Sequence, residues 1–182
     1  CSSDLSFGPD TLIYEIEQTS NIQQHAMPWR MEDGSRLSQK EWEKNIDALL
    51  QELRPELRCA PQRGLALEAK GLTRLFCCAG PYFALERWRF SEPQRFSFDS
   101  ARILSNLGDP LTVEANGVSV ALGRAESVLL PAALSEVTLR DAGELLIGYV
   151  PDLAREVVAP LRQAGYSEAA IARLGDIHGT MI

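Results

Sequence analysis

Between Leu72 and Val150 the chain is cut into short apolar runs by closely spaced turn signals, and this punctuation limits the fold more than any other feature. The runs are Leu72–Ala79, Tyr82–Phe90, Arg102–Leu107, Leu111–Ala115, Val118–Leu122, Ser127–Leu130, Glu136–Arg140 and Glu144–Val150. Gly80-Pro81, Gly108-Asp109-Pro110, Asn116-Gly117 and Asp141-Ala142-Gly143 separate them. Short strands with turns this frequent predict an antiparallel sandwich or barrel. Asn116-Gly117 between two runs is the pattern of a type I′ hairpin turn, because both residues tolerate positive φ. Along Phe83–Phe90 the residues alternate, Phe83, Leu85, Arg87 and Arg89 against Ala84, Glu86, Trp88 and Phe90, with charge on both faces.

The flanks read differently. Thr11–Glu17 is β-branched and aromatic and predicts a strand, followed by loop from Gln18 to Leu37. Ser38 with Glu41 makes a capping box, and Trp42, Ile46, Leu49, Leu50 and Leu53 follow at helical spacing up to Pro55. Glu56–Gly71 is a polar, proline-containing connector. After Pro151, Asp152 is placed to cap a helix through about Arg162. Gly165 breaks it, and Ser167 caps a last short helix to Leu174. Three parts are expected: an arm over 1–71, a β domain over 72–151 and a helical tail over 152–182.

A net charge of -7 argues against nucleic acid, whose binding needs a basic surface, and against an anionic membrane. A small phosphorylated ligand, held by a few local arginines, is compatible with it. No apolar run reaches the roughly 18 residues of a membrane span. The opening Cys1-Ser2-Ser3 is either the mature end of a lipoprotein or an arbitrary start, and the apparent strand by Thr11 favours the second. Cys77 and Cys78 are adjacent in a predicted strand and should point to opposite faces. Together with Cys1 and Cys59 they form neither a zinc pattern nor a disulfide framework, so reduced cytoplasmic thiols are expected.

Three segments in order resemble one family. Phe7–Asn21 (FGPDTLIYEIEQTSN) resembles the segment after the last metal-ligand histidine of type I mannose-6-phosphate isomerases. Phe83–Phe90 (FALERWRF) resembles the strand that opens the second cupin of the short bacterial members. Gly123–Leu139 (GRAESVLLPAALSEVTL) with Glu144–Leu153 (ELLIGYVPDL) is similar to their closing strands. The resemblance reaches to about residue 153. It implies cupin-type barrels, a zinc ion in the first of them, and interconversion of mannose 6-phosphate and fructose 6-phosphate. Zinc in that family takes a Gln, a Glu and two His ligands, three of them upstream of the region matched. The fourth, a histidine ten positions before the glutamate of the YEI segment, falls at Leu5, with Ser6 next to it. Leucine has no lone pair for a metal, so the resemblance implies a lost metal site, no cofactor in this chain and no metal ligand.

The family glutamate matches Glu15, and a family arginine ten residues further on falls at His25. An imidazole can act as acid or base near neutral pH, but it lacks the fixed fork and permanent charge of arginine. The catalytic candidates are therefore Glu15 and His25, and the substrate-binding candidates Arg30, Arg87 and Arg89. Each has a structural alternative. Glu15 with Glu17 makes a solvent-facing edge pair, and Arg87 and Arg89 pair with Glu86 and Glu92 on a wet sheet face. Trp42 is expected in helix core and Trp88 in sheet core. His25 and His178 are too few for a zinc site.

The expected fold is mostly β: a cupin-like antiparallel jelly-roll barrel with an N-terminal strand-helix arm and a C-terminal helical tail. The arm's strand leaves an unpaired edge, so the expected partner is a second copy in a homodimer or a separately encoded metal-bearing half. A sugar phosphate is the expected ligand and the cytoplasm the expected compartment. Three functional classes remain open: an isomerase half inactive alone, a metal-free sugar-phosphate binder, and a structural or interaction module.

Overall fold

The structure, a computed structural model, describes residues 13–16, 33–53, 62–175 and 177. The chain divides into two units, Cys1–Ala60 and Pro61–Ile182. In the first unit the helix α1 (Gln39–Glu52) starts at the expected capping box. The Ser38 hydroxyl accepts from the Glu41 N–H, and the Glu41 carboxylate accepts from the Ser38 N–H at 3.1 Å. No residue of α1 is buried, and Trp42, expected as helix core, is only half-buried. The strand expected over Thr11–Glu17 is not formed at 13–16, where the backbone pairs with no neighbouring strand. A single amphipathic run becomes a strand only when another edge satisfies its backbone.

The second unit carries ten strands among the described residues, all paired antiparallel. They are β1 (Leu65–Ala69), β2 (Leu72–Ala79), β3 (Ala84–Phe90), β4 (Gln94–Ser97), β5 (Arg102–Asn106), β6 (Leu111–Ala115), β7 (Val118–Leu122), β8 (Ser127–Leu130), β9 (Glu136–Leu139) and β10 (Gly143–Tyr149). One sheet runs β1-β2-β3-β10-β5-β8 and the other β4-β9-β6-β7. Two strands escape the sequence pattern. β1 lies in the stretch read as a polar connector, and its LALEA pairs with β2 from Leu65 opposite Phe76 to Ala69 opposite Leu72. β4 is a QRFS tetrapeptide with one apolar residue, legible only through its pairing with β9.

The two sheets enclose a continuous core in which Phe76, Leu104, Leu139 and Leu145 are fully buried. Asn106, also fully buried, ties the turns at one end of it. Its Nδ2 donates to the carbonyls of Asp109 and Leu122, both at 2.9 Å, and its Oδ1 accepts from the Gly108 N–H at 3.0 Å. A buried amide with all these positions filled carries no desolvation penalty for an orphaned group.

At Cys77 the register against β3 shifts, so that Cys77 and Cys78 together oppose Leu85 between the pairs Phe76–Glu86 and Ala79–Ala84. The bulge breaks the alternation expected to send the two thiols to opposite faces. Both are free and half-buried, and burial raises their pKa.

The tail packs on the barrel. A wide-turned helical stretch, Leu153–Val158, capped by Asp152, runs into α2 (Ala159–Gln163). Gly165 ends it, and Ser167 caps α3 (Glu168–Ile171) before a tight turn over Ala172–Leu174. Val157, Val158, Leu161, Ile171, Leu174 and Ile177 all join the barrel core. The Tyr166 hydroxyl fastens the tail to β1, donating to the Ala66 carbonyl at 2.8 Å and accepting from its N–H at 3.2 Å. Among the described residues no helix is long and apolar enough to cross a membrane.

The expected hairpin turn is present, with φ of 49° at Asn116 and 78° at Gly117. A Cβ at residue 117 would meet nothing within 4 Å, so only the left-handed backbone opposes a side chain there. Gly117→Ala is therefore expected to destabilise the domain by about 1–2 kcal/mol without changing the fold. Equilibrium urea melts of the two proteins check this.

Candidate functional site

β3 alternates strictly: Ala84, Glu86, Trp88 and Phe90 are buried, while Leu85, Arg87 and Arg89 lie on the other face. A glutamate therefore enters the barrel interior in phase with aromatic and aliphatic residues. Glu86 is only 2% exposed. An isolated carboxylate there would cost several kcal/mol, so its partners determine whether the sheet can form.

Those partners come from three strands. Arg74 on β2 forks onto the carboxylate, Nε to Oε2 at 2.9 Å and Nη2 to Oε1 at 3.0 Å. Trp88, two residues along β3, donates its indole N–H to Oε2 at 2.7 Å. The Tyr149 hydroxyl on β10 donates to Oε1. Burial pushes the Tyr149 pKa up, and the charge and hydrogen bond of Glu86 push it further, so the phenol stays protonated. Burial alone would lower the Arg74 pKa, but the bond and charge of Glu86 outweigh it. The Arg74 guanidinium lies 5.3 Å from the Phe76 ring centroid and 5.1 Å from that of Trp88.

Beside this cluster stands a second pair. Arg102 on β5, 6% exposed, lies 3.9 Å over the ring of Tyr149, its cross-strand partner. Its Nη1 donates to the Ser100 hydroxyl at 2.7 Å, and its Nη2 to Glu156 on the tail. Both pairs line one cavity of about 290 Å³, together with Trp88, Phe96 and Arg155. Trp88 and Phe96 meet edge-on at 5.1 Å and form an aromatic wall. Within the cavity Arg74 and Arg102 face Glu86 and Glu156, while Arg155, also at its lining, pairs with Asp99 at 2.6 Å and Asp152 at 3.5 Å. Arg74 Nη1 and Arg102 Nε make no hydrogen bond among the described residues. The chemistry offered is guanidinium donors for an anion, the Glu156 carboxylate for hydroxyls and an aromatic face for a ring.

Two of the residues anticipated from sequence, Arg87 and Arg89, lie away from the cavity. Arg87 and Arg89 converge on Glu144 of β10, on the sheet face opposite the cavity, and not on Glu86 or Glu92. Glu15 is exposed in the first unit, within a segment that is not a strand. His25 and Arg30 lie outside the described residues. Glu86, Arg74, Arg102 and Tyr149 were not singled out as a site. Their one sequence signal is the phase of Glu86 on β3.

Zinc does not fit this cavity. Both oxygens of Glu86 already accept from cationic or neutral donors, and the neighbouring arginines repel a cation. Among the described residues no group of three or more His, Cys, Asp or Glu is gathered as a metal site.

No family model matches the chain, and no curated protein matches it. Solved structures do match. The mannose 6-phosphate isomerase from Bacillus subtilis superposes with a TM-score of 0.51 at 16% identity, over 66% of this chain and 37% of that one. An RmlC-like cupin from Shewanella frigidimarina gives 0.45 at 15% identity, over 54% of this chain and 91% of that one. The apo mannose 6-phosphate isomerase from Salmonella typhimurium gives 0.42 at 17%, over 47% and 22%. The double antiparallel sheet is consistent with a cupin-like fold. More particularly, its fold is similar to part of that of the Bacillus mannose 6-phosphate isomerase, and the chain spans little more than a third of that enzyme.

The Glu86 cluster and the outer-face ion pairs give separable predictions. Glu86→Leu leaves Arg74 without its carboxylate and is expected to cost about 3–5 kcal/mol, the range for breaking a buried pair. The double variant Arg74→Met/Glu86→Leu should recover much of that loss. A double-mutant cycle by urea denaturation measures the coupling, and additive effects would contradict the pairing. Burial raises the pKa of Glu144, but the bonds from Arg89 and Arg87 more than offset this and hold it below the usual carboxylate range. A lowered folded value contributes stability above the ordinary glutamate pKa of about 4.3, lost as pH falls through the folded value. Thermal melts from neutral to acidic pH should therefore show a flatter acid limb for Glu144→Gln.

Proposed function

We propose that this domain binds a sugar phosphate in the barrel cavity without a metal ion, and does not by itself carry out aldose–ketose isomerisation. The observation that carries the reading is the convergence of Arg74 and Arg102 on a cavity walled by Trp88 and Phe96. The guanidinium groups of Arg74 and Arg102 suit a phosphate, since such donors hold phosphate oxygens well. Glu156 offers an acceptor to sugar hydroxyls, and aromatic rings pack against the apolar face of a pyranose. The notion of a sugar phosphate comes from the resemblance to mannose 6-phosphate isomerases, and the cavity is chemically compatible with it. If the chain contributes to isomerisation, a separately encoded half supplies the metal.

A second reading follows from the completeness of the network: among the described residues every buried side-chain polar atom has a hydrogen-bond partner. On that reading the cluster only holds the barrel together, and the domain is a scaffold.

Titration calorimetry with mannose 6-phosphate, in chelator and then in zinc, separates these readings when run beside a coupled assay for fructose 6-phosphate. The expected outcome is binding in chelator, weakened about tenfold, or ~1.4 kcal/mol, in Arg74→Met/Glu86→Leu, with no turnover in either condition. No binding by the folded chain would favour the scaffold. Zinc-dependent turnover would overturn the proposal.

A further inference from the structure

β7 is the outer strand of the four-stranded sheet, paired with β6 on one side only among the described residues. Its sequence, VSVAL, has no charge and no proline, and its first four residues are exposed. Edge strands are ordinarily protected by charged side chains, proline or bulges, and this one has none of them. Val118 is 63% and Val120 45% exposed, although both lie on the face shared with the buried Val113 and Leu122.

The hairpin fixes which backbone groups point outward. A two-residue type I′ turn makes Ala115 and Val118 a hydrogen-bonded pair, and such pairs then alternate along the ladder. Val120 and Leu122 therefore spend their N–H and C=O on β6, while Ser119 and Ala121 turn theirs to the open edge. Thr112, opposite Ala121, agrees with this phase, since its carbonyl turns to the other side and accepts from the Arg140 N–H at 3.0 Å.

We propose that β7 seats a second copy of this chain, pairing antiparallel with its own counterpart about a two-fold axis at Val120. In this register Ser119 of each copy exchanges both its hydrogen bonds with Ala121 of the other, so all four outward N–H and C=O groups of each edge are used. Val120 meets Val120 of the second copy at a non-hydrogen-bonded position, where facing side chains are closest. Val118 lies opposite Leu122. Within 116–124 the only charged residue is Arg124, which falls opposite Asn116, so no like charges are opposed. The strand is thus complementary to itself, as a closed two-fold interface requires. A seam of five residues is short, which makes the dimer concentration-dependent. The inference is independent of the cavity and of its ligand.

Sedimentation velocity over a concentration series tests it, beside Val120→Lys and Ala121→Pro. The lysine sets two like charges on the axis. The proline removes an N–H that β6 does not use. Both variants should stay folded by circular dichroism and raise the dimer dissociation constant at least about tenfold. In the unmodified protein, hydrogen exchange at the Ser119 and Ala121 amides should slow as concentration rises. That readout stands even if the proline variant fails to fold. A monomer throughout the series, a dimer unchanged by Val120→Lys, or exchange at these amides independent of concentration would each overturn the proposal.

Discussion

A carboxylate placed inside a β-barrel must be neutralised before the barrel can close, and Glu86 imposes that demand here. Its position is dictated by the pleat, since a residue between Ala84 and Trp88 in phase has nowhere else to go. Arg74 from β2 supplies the countercharge and Tyr149 from β10 a hydrogen bond, so both strands that flank β3 take part. The charge thus helps to fix the register of three adjacent strands, because a slip of one residue would move Glu86 to the outer face and Arg87 inward. Arg102 then stacks on Tyr149 and reaches Glu156, extending the polar cluster from the sheet to the helical tail.

The same cluster keeps the interior from filling. Around Glu86 the planar guanidinium groups and rings leave a cavity of about 290 Å³. Replacing a buried ion pair by well-packed apolar side chains is often neutral or stabilising, so stability alone is a weak reason for such a group. The recognition role proposed above would be a reason of another kind. The likeness to solved structures speaks to the barrel and not to that role, because one fold carries many activities.

Much of the barrel was legible because its strands are bounded by strong turn chemistry. Asn116-Gly117, Gly80-Pro81 and the Asp141–Gly143 turn delimit runs that match the observed strands to within a residue or two. β1 and β4 were not legible, because LALEA and QRFS owe their extension to neighbours across the sheet and not to their own pattern. The bulge at Cys77 was hidden for the same reason. For the site, the phase of Glu86 was visible, but Arg74 stands 12 residues before it and Tyr149 63 residues after. No spacing rule links such residues; only the sheet order does. Arg87 and Arg89 drew attention as an alternating basic pair, yet the decisive partner, Glu144, is equally remote in sequence.

That sheet order also bears on how the domain comes to be folded. β10 sits between β3 and β5 and pairs with both, although it is the last of the described strands along the chain. During synthesis the six-stranded sheet consequently stays split: β1, β2 and β3 can associate on one side, and β5 with β8 on the other. They share no ladder until Gly143–Tyr149 has left the ribosome. Closing loops of this length before any reward in burial is the slow step of folding for proteins rich in non-local contacts. The core then still waits for Val157 to Ile177, so the newborn chain carries two open half-sheets until nearly all of this sequence has been made.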